Sequence, residues 1–511
     1  MSSQIISQFE SLVSSRMSRF NYLLEKAKFD FKQYQYDGVQ WCVKNELRPN
    51  PVGNARGGFI ADEMGLGKTI MMIGTMFVNF LPRTIIVVPP VLIQQWFNEI
   101  YNASGHRALL YYGTAKKTIT QADINVAPIV LTTYNTLLPD ECILKNVLWN
   151  RVIFDEAHHL RNSKTRRYNS CKQIKARVRW LVTGTPVQNK KQDFYNLCRA
   201  AGMKPSFYTE PNNLRVIGRN YVLRRTKALV GIDLPPINKQ QCVVDWKDKK
   251  EMMLSEEIHS LLPNQTGVSV YKRRQLAQIF GPGKVLVAIL RARQSCVLPN
   301  MMRKKFELIN DEIKDANINL ENNNLENNNL ENTNLEEELN DEYLEALDYS
   351  SKVDAVIKLM LDRKDNGNGK IVFCHFQSEI DAIAQRLLDG GFQKVVKYDG
   401  RNSGGKNLAT LAEPADALVI QIQTGCEGLN LQHNFSEIYF VSPHWNPCVE
   451  DQAIARCHRI GQLKPVHVFK FEMRGFARDV GADSDPITLE KYVNKIQELK
   501  RDISRQMLDI Q

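Results

Sequence analysis

Short runs of apolar residues recur in two parts of the chain, separated from one another by longer helical stretches. In the first part the runs occupy residues 84–88, 129–132, 152–154 and 180–183. In the second part they occupy residues 370–374, 394–398, 417–422, 437–441 and 466–471. Strands of a parallel sheet covered by helices on both faces are apolar throughout, whereas half-exposed strands alternate. The pattern therefore predicts an α/β fold with two parallel sheet domains.

These two domains set the expected division of the chain. We expect a first sheet domain over residues 31–205 and a second over residues 346–475, joined by a helical protrusion or linker over residues 206–345. Ile5, Ile6, Phe9, Leu12 and Val13 are spaced as on one helix and predict an N-terminal helical segment over residues 1–30. Residues 476–511 form the last expected segment, a C-terminal helix.

One segment of the linker, residues 317–338, has low complexity. Its leucines recur every five residues among asparagines and glutamates. Because five residues turn a helix by about 500°, these leucines share no face. A coil of pentapeptide repeats is the alternative, but four units make too short a stack. The sequence therefore predicts a disordered surface insertion here.

Composition excludes several classes of protein. Of 511 residues, 43% are hydrophobic and 24% charged, which is ordinary for a soluble globular chain with several buried cores. No apolar run reaches the length of a membrane span, and the N-terminus lacks the apolar centre of a secretory signal. None of the ten cysteines forms a pair separated by two residues, so we expect reduced thiols and no structural zinc. An intracellular location follows as an expectation.

The charges are unevenly placed. The chain has 67 Lys and Arg against 56 Asp and Glu, a net charge of +11. Eight basic residues and no acid lie between Arg161 and Arg179, and six basic residues and no acid lie within 284–305. Either run alone could be a solvated surface. Two acid-free runs in a basic protein favour a polyanionic partner.

The strongest local motif spans residues 61–69, Ala-Asp-Glu-Met-Gly-Leu-Gly-Lys-Thr, and an apolar helix follows from Ile70. Gly65 and Gly67 would let backbone amides face phosphate oxygens at a helix N-terminus. Lys68 would reach the β- and γ-phosphates, and the Thr69 hydroxyl would bind magnesium. The strict phosphate-loop pattern has glycine where Asp62 stands. A glycine-rich turn without a ligand is the alternative.

A second motif supports the first. The apolar strand at 151–154 ends in Asp155 and Glu156, 87 residues after Lys68. A nucleotide-binding sheet places a magnesium-binding carboxylate at a strand end beside the phosphates, and Glu156 could polarise the attacking water. An acidic strand end is otherwise common on protein surfaces. The two motifs in this order predict hydrolysis of ATP.

A third motif lies at residues 451–462. On a helix, Gln452, Arg456 and Arg459 would share one face. The two arginines could form a solvated stripe. If the second domain closes on the first, they could instead contact a γ-phosphate and stabilise the charge of the transition state.

These blocks, with others in the same order, resemble the ATPase engine of the Swi/Snf family of DNA translocases in helicase superfamily two, with a DEAH-type motif at 155–158. The resemblance covers residues 29–503. It includes Tyr34-Gln35, Gln95-Trp96, Thr132-Thr133-Tyr134, and residues 181–189, 223–227, 234–236 and 290–296. It continues through residues 350–352, 428–431, 445–447 and 458–462 and ends in a helix similar to the family's bracing helix.

The resemblance implies two RecA-like lobes that bind ATP and Mg2+ and move along double-stranded DNA. The implied catalytic residues are Lys68, Asp155, Glu156, Arg456 and Arg459, and Thr69 and Asp155 would hold magnesium. Gln35 would recognise adenine. The full set of implied nucleotide-binding residues is Gln35, Asp62, Glu63, Met64, Gly65, Leu66, Gly67, Lys68, Thr69 and Ile70.

The sequence departs from the family at Cys426, where a second glycine is usual, at Glu427, where a non-acidic residue is usual, and before Ala417, where an arginine-containing helix is not recognisable. A strand-separating helicase and an ATP-bound scaffold of a transcription complex are the alternatives. The compact core and asparagine-rich insertion resemble Snf-type proteins of large DNA viruses. We expect a monomeric engine without membrane contact, acting in the nucleus or in a viral factory or virion, with DNA-bound proteins or transcription machinery as further partners.

Overall fold

The computed structural model describes residues 3–49, 51, 53, 55–184, 191–262, 285–308, 343–401, 414–425, 429–476 and 487–508. The chain divides into two units, Met1–Leu234 with Leu499–Gln511, and Pro235–Glu498. The insertion predicted at 317–338 lies outside the described residues, as do residues 185–189 and 426–428 of the motifs.

The first unit contains a seven-stranded parallel sheet. Its strands are β1 Gly57–Ile60, β2 Thr84–Val88, β3 Leu109–Tyr111, β4 Ile129–Thr133, β5 Leu148–Asp155, β6 Lys175–Val182 and β7 Val222–Leu223. They lie in the order β3-β4-β2-β5-β6-β1-β7, and every pair is parallel. The four apolar runs of the first part are thereby confirmed as β2, β4, β5 and β6. The strands that the pattern missed are short, with two to four residues each.

Helices cover this sheet on both faces. They are α1 Ser3–Ala27, α2 Gln33–Leu47, α3 Lys68–Val78, α4 Ile93–Ser104, α5 Gln121–Val126, α6 Arg166–Lys172, α7 Lys191–Ala200, α8 Pro205–Tyr208 and α9 Pro211–Tyr221. In β2, Ile85 and Val87 belong to the hydrophobic core on one face, and Ile86 and Val88 belong to the core on the other. Because successive side chains point to opposite faces, a strand buried on both faces carries apolar side chains at consecutive positions.

Glycine is required where β1 enters the sheet. Gly57 has φ of 100°, and a Cβ atom there would lie 2.1 Å from the carbonyl oxygen of Arg179 on β6. Only a residue without a side chain combines that backbone angle with such a close approach. This entry lets β1 pair with β6 on one side and β7 on the other, so that the loop after β1 begins at the carboxyl edge of the sheet.

The second unit contains a six-stranded parallel sheet in the order β10-β11-β9-β12-β13-β8. The strands are β8 Ile237–Val244, β9 Gly369–Cys374, β10 Val395–Tyr398, β11 Ala417–Gln421, β12 Phe435–Phe440 and β13 Val466–Met473. The five apolar runs of the second part are confirmed as β9 to β13. Two sheets flanked by helices confirm the predicted α/β fold class.

The helices of the second unit are α10 Lys249–His259, α11 Val285–Val297, α12 Ser351–Asp362, α13 Gln377–Asp389, α14 Ile422–Gly425 and α15 Pro447–Ile454. A further helix, α16 Leu489–Leu508, begins in this unit, and its residues from Leu499 belong to the first. Helices α10 and α11 pack on one another around a separate small core that includes Leu254, Ala292 and Phe306. Within the described residues, none of the helices of either unit combines the length and apolar character needed to cross a bilayer.

The linker expected to be helical over residues 206–345 contains two strands as well. Strand β7 extends the first sheet beside β1, and β8 extends the second sheet beside β13. Most side chains of β8 are exposed, since it lies at an edge and carries Asn238, Lys239, Gln240 and Gln241. An edge strand of this kind lacks the apolar run that marks a central strand, so the hydrophobic pattern did not predict it.

Candidate active site

The predicted phosphate loop connects β1 to α3 at the carboxyl edge of the first sheet. Gly65 and Gly67 have φ of 90° and 75°, and Gly67 caps the N-terminus of α3. Helix α3 then runs through buried apolar side chains, which hold its N-terminus in place. The loop therefore leads into a helix N-terminus, where backbone amides and the positive end of the helix dipole favour anions.

Lys68, the first residue of α3, folds back over this loop. Its Nζ donates to the carbonyl oxygens of Asp62 at 3.0 Å and Glu63 at 3.4 Å. A Cβ atom on Gly184, just beyond the end of β6, would lie 3.7 Å from the same Nζ. The lysine is thus held at the loop, beside the segment that follows the neighbouring strand.

Gln35, predicted to read adenine, lies directly against the loop. It is buried on α2, and its Nε2 donates to the carbonyl oxygen of Leu66 over 3.3 Å. A Cβ atom on Gly67 would come within 2.4 Å of that nitrogen. Glycine is therefore required at position 67 for two reasons: the backbone is left-handed, and a side chain would collide with Gln35.

The side chains of Asp62 and Glu63 bond to protein groups. The Asp62 carboxylate is fully buried and pairs with Arg225 over 2.6 Å. Glu63 pairs with Lys227 over 3.1 Å. Sequence reasoning placed both acids among the nucleotide-binding residues, and the structure shows that each carboxylate anchors the segment after β7.

Asp155 ends β5 at the same carboxyl edge. Its Oδ2 accepts a hydrogen bond from the indole Nε1 of Trp96 at 2.7 Å, and its Oδ1 accepts one from the backbone of Glu156 at 2.9 Å. The hydroxyl of Tyr134 donates to its carbonyl oxygen at 2.6 Å. Two buried aromatic side chains and one backbone amide therefore fix both the carboxylate and the backbone of Asp155.

The environment of Asp155 favours a nearby cation. Burial, and next the negative charge of Glu156, raise the pKa of the Asp155 carboxyl to about 7, while the positive charge of Lys68 lowers it. The structure thus brings together Lys68 and Asp155, which are far apart in the sequence. Two adjacent carboxylates with little opposing charge form a donor set that suits a divalent cation.

Glu156 has an uncommon backbone. Its φ and ψ are both 48°, in the left-handed region, where a residue other than glycine is strained. One carboxylate oxygen lies 3.3 Å from Nδ1 of His158, and both side chains are 14% exposed. The strained turn thus begins directly after Asp155, and the carboxylate of Glu156 lies beside His158.

The helical position predicted for Arg456 and Arg459 is wrong. Helix α15 ends at Ile454, and both arginines lie in the turns that follow. Three-residue bonds from Arg456 N to Ala453 O and from Cys457 N to Ile454 O occur there beside one helical bond, from His458 N to Ile454 O, and the regular helix ends. Cys457 is buried and anchors this turn. Arg459 donates to Asn430 Oδ1 within the second unit.

In the basic run from Arg161 to Arg179, Arg161 is half-buried and the other seven basic residues divide into two groups. Arg179 is mostly buried and donates to backbone carbonyls, and Arg167 contacts His159 at 3.1 Å and lies over the ring of Tyr134. The exposed members are Lys164, Arg166, Lys172, Lys175 and Arg177. These five are the side chains of the run that are available to a polyanion.

Sequence reasoning quoted Trp96, Tyr134 and Arg225 as parts of motifs and assigned none of them to the site. Their contacts join residues 59, 21 and 163 positions apart. The family resemblance could have pointed to these three residues, because all of them lie in its motifs, but it gave none of them a role.

Comparisons with known proteins show two domain matches and several relatives. The sequence matches the SNF2-related domain over residues 34–301 and the helicase conserved C-terminal domain over residues 351–461. The "ATP-dependent DNA helicase DDM1" of Arabidopsis thaliana is 24% identical, over 86% of this chain and 58% of its own length. The "Probable global transactivator" of Orgyia pseudotsugata multicapsid polyhedrosis virus is 26% identical, over 86% of this chain and 85% of its own.

A solved structure described as "Sulfolobus solfataricus SWI2/SNF2 ATPase core in complex with dsDNA" is 22% identical, with a TM-score of 0.38, and the alignment covers 94% of this chain and 92% of that one. This chain spans less than two thirds of the length of the Arabidopsis relative. The SNF2-related match covers more than half of the 511 residues. The predicted family is thereby confirmed, and the chain belongs to the SNF2 family and carries its two helicase-like ATPase domains.

Proposed function

We propose that this chain hydrolyses ATP to ADP and phosphate and uses the reaction to move along double-stranded DNA, displacing or remodelling proteins bound there. The observation that carries the proposal is the pairing of a phosphate loop with a strand-end acid pair at one edge of the first sheet. Lys68 begins α3, Asp155 ends β5 within reach of its charge, and Glu156 follows directly. This is the arrangement expected of a nucleotide-hydrolysing sheet.

Each residue has a distinct part in the proposed reaction. The amides of the loop and Lys68 bind the β- and γ-phosphates, for which Lys68 exchanges its bonds to the carbonyls of Asp62 and Glu63. Glu156 orients a water molecule and accepts its proton. Arg456 and Arg459, from the second unit, stabilise charge on the γ-phosphate.

Thr69 and Asp155 are the residues that would hold magnesium. The fit rests on the buried Asp155 carboxylate, whose raised pKa reflects burial and the negative charge of Glu156. When bound, the ion neutralises charge on the phosphate oxygens. Trp96 donates a hydrogen bond to one oxygen of Asp155, and this bond restricts rotation of the carboxylate.

Duplex DNA is the proposed track, and its phosphates are the proposed contacts of the exposed basic residues of α6 and β6. Phosphate contacts carry no sequence information, so binding should be largely independent of sequence and weaken steeply with salt. The relatives include a protein named as a DNA helicase and one named as a viral transactivator, which supports DNA as the substrate and a nuclear or viral setting. The proposal also includes DNA-bound proteins or transcription machinery as partners, and a monomeric engine.

The test measures the ATPase rate without DNA, with single strands, with duplex and with nucleosomes. Stimulation by duplex, together with displacement of a third strand from a triplex without unwinding of the duplex, supports the proposal. Lys68→Ala is the control that separates ATP chemistry from DNA binding, since it should abolish turnover and leave duplex binding intact. A rate that responds to single strands and ignores duplex would overturn the translocase proposal.

A strand-separating helicase is the second candidate, because the Arabidopsis relative carries that description. Both candidates use the same ATPase residues. Unwinding of a forked duplex in the presence of ATP, absent from the Glu156→Gln variant, would favour this second function.

A further inference from the structure

The phosphate loop has Asp62 where the standard pattern has glycine, and the Asp62 carboxylate binds Arg225. Its Nη2 donates to Asp62 Oδ2 at 2.6 Å, its Nε to Oδ1 at 3.2 Å, and its backbone amide to Oδ1 at 2.9 Å. The carboxylate is wholly buried and the arginine side chain is 16% exposed. A planar guanidinium that grips both oxygens of a carboxylate is a strong and geometrically specific contact.

The same guanidinium also reaches the segment that carries Gln35. Its Nη1 donates to the carbonyl oxygen of Tyr34, and its Cζ lies 5.6 Å from the centre of the Tyr34 ring. A Cβ atom on Gly38, one turn along α2, would lie 2.8 Å from Nη2. Glycine at 38 therefore leaves the space through which Arg225 approaches α2.

Backbone bonds hold Arg225 in place beside the loop. Ala61 N donates to Leu223 O at 2.7 Å, and Glu63 N donates to Arg225 O at 2.8 Å. These bonds continue the pairing of β1 with β7 beyond the ends of both strands. The position of Arg225 is thus set by the sheet and does not depend on its side-chain contacts alone.

We propose that Arg225 is a positioning residue that sets the base preference of the nucleotide site. The guanidinium of Arg225 donates to both the carbonyl of Tyr34 and the carboxylate of Asp62. It thereby fixes Gln35, the residue after Tyr34, relative to the phosphate loop. This inference rests on the proposed function, in which Gln35 reads the base while the loop holds the phosphates. A site that selects its ligand by hydrogen bonds needs those groups held in place before binding.

A purely structural role predicts a different result. Loss of a buried ion pair lowers the stability of the folded protein and reduces the affinity of the site for all its ligands to the same extent. A positioning role lowers the affinity for ATP more than the affinity for GTP, because only adenine depends on the placement of Gln35. The ratio of the two affinities therefore distinguishes the two roles.

The experiment measures binding of the non-hydrolysable analogues AMP-PNP and GMP-PNP by calorimetry, with Mg2+, to wild type and to Arg225→Lys. Lysine keeps the positive charge and cannot form the paired hydrogen bonds that the guanidinium makes to Asp62. We expect the preference for the adenine nucleotide to fall on the order of tenfold, the effect of about 1.4 kcal/mol of lost interaction. Asp62→Asn, which keeps the shape of the side chain and removes its charge, should lower the preference in the same direction.

Lys227→Met is the matched control. Lys227 lies on the same segment and pairs with Glu63, the neighbour of Asp62. We expect this variant to bind both nucleotides with the wild-type ratio. Melting temperatures of all variants are measured first, and if Arg225→Lys does not fold, Asp62→Asn decides the question.

An unchanged ratio in the folded variants, with both affinities reduced equally, would overturn the inference and leave the proposed function standing. A wild-type protein that binds neither nucleotide would instead overturn the proposed function, and the inference with it. A wild type that binds both without preference would refute the role of Gln35 and Arg225 in base selection alone.

Discussion

The indole nitrogen of Trp96 donates a hydrogen bond of 2.7 Å to Oδ2 of Asp155, and both side chains are buried. Trp96 lies on α4 and Asp155 at the end of β5, so the bond joins a covering helix to the carboxyl edge of the sheet. It occupies one oxygen of the carboxylate that is proposed to hold magnesium. The indole therefore restricts how that carboxylate can turn.

Trp96→Phe should raise the Mg2+ requirement of the enzyme. Phenylalanine retains most of the buried ring and removes the donor, which leaves Oδ2 of Asp155 without its partner. Loss of such an outer contact typically weakens metal binding by about ten- to a hundredfold. Titration of Mg2+ in the ATPase assay and in nucleotide binding should show this shift.

The matched control is Trp149→Phe. The Nε1 of Trp149 also donates a buried hydrogen bond in the first unit, to the carbonyl oxygen of Leu144 at 2.9 Å. We expect a similar fall in Tm and no change in the Mg2+ requirement. Equal Mg2+ dependence of the two variants would contradict the role given to Trp96.

Glu156→Gln should bind ATP and hydrolyse it very slowly. Asp155 and Thr69 are unchanged, while the carboxylate that accepts the proton of water is neutralised. The expected loss in kcat is about a hundredfold or more. Single-turnover hydrolysis together with nucleotide affinity measures both parts of the prediction. Glu141→Gln removes an exposed carboxylate of the same unit and should leave both values unchanged; near-normal turnover of Glu156→Gln would remove Glu156 from the mechanism.

Arg166 and Arg167 are adjacent on α6 and should respond differently to charge reversal. Arg166 is exposed, so Arg166→Glu should reduce the slope of log affinity against log salt for duplex DNA by roughly one. Arg167 contacts His159 and Tyr134, and Tyr134 holds Asp155. Arg167→Glu should therefore also lower the ATPase rate measured without DNA.

Filter binding across a salt series and the ATPase rate without DNA check this pair. Lys117→Glu, an exposed reversal with the same change in net charge, serves as the control and should alter neither measurement. If Arg166→Glu and Lys117→Glu give the same slope, the exposed face of α6 does not contact phosphate.

Glu379→Gln should change how the melting temperature depends on pH. Burial raises the pKa of the Glu379 carboxyl to about 7, although backbone amides of His375 and Phe376 donate to it. Because the folded state binds this proton more tightly than the unfolded state, its stabilising contribution is present below about pH 4.5 and is lost as pH rises through about 7.

Glutamine resembles the protonated form at every pH. The Tm of Glu379→Gln relative to wild type should therefore be higher at pH 8 than at pH 5. The corresponding slopes of the free energy of unfolding against pH should differ by up to about 1.4 kcal/mol per pH unit. Glu345→Gln, which alters an exposed carboxylate of the same unit, should not change the slope. Parallel curves for wild type and Glu379→Gln would show that this carboxyl is ionised in the folded protein at pH 5.

The sequence alone determined which segments form the central strands and where the chemistry of the first unit lies. Runs such as residues 85–88 are apolar at every position because both faces of β2 are buried, and that requirement is local to the strand. The loop at 61–69 is indicated by its own motif, although the pattern missed β1 before it, and the pair Asp155-Glu156 stands at the end of a strand that the pattern indicates. Their meeting at one edge follows from the parallel order of the sheet.

The tertiary structure alone decided what holds these residues in place. Trp96, Tyr134 and Arg225 contact Asp155 and Asp62 from elements distant in sequence, and no periodicity encodes which buried side chains will meet. It also decided that α15 ends before Arg456, because the turn into β13 and burial of Cys457 outweigh helical spacing. Hydrophobic pattern is set by the burial of each element separately, whereas hydrogen-bond partners depend on how the elements pack together.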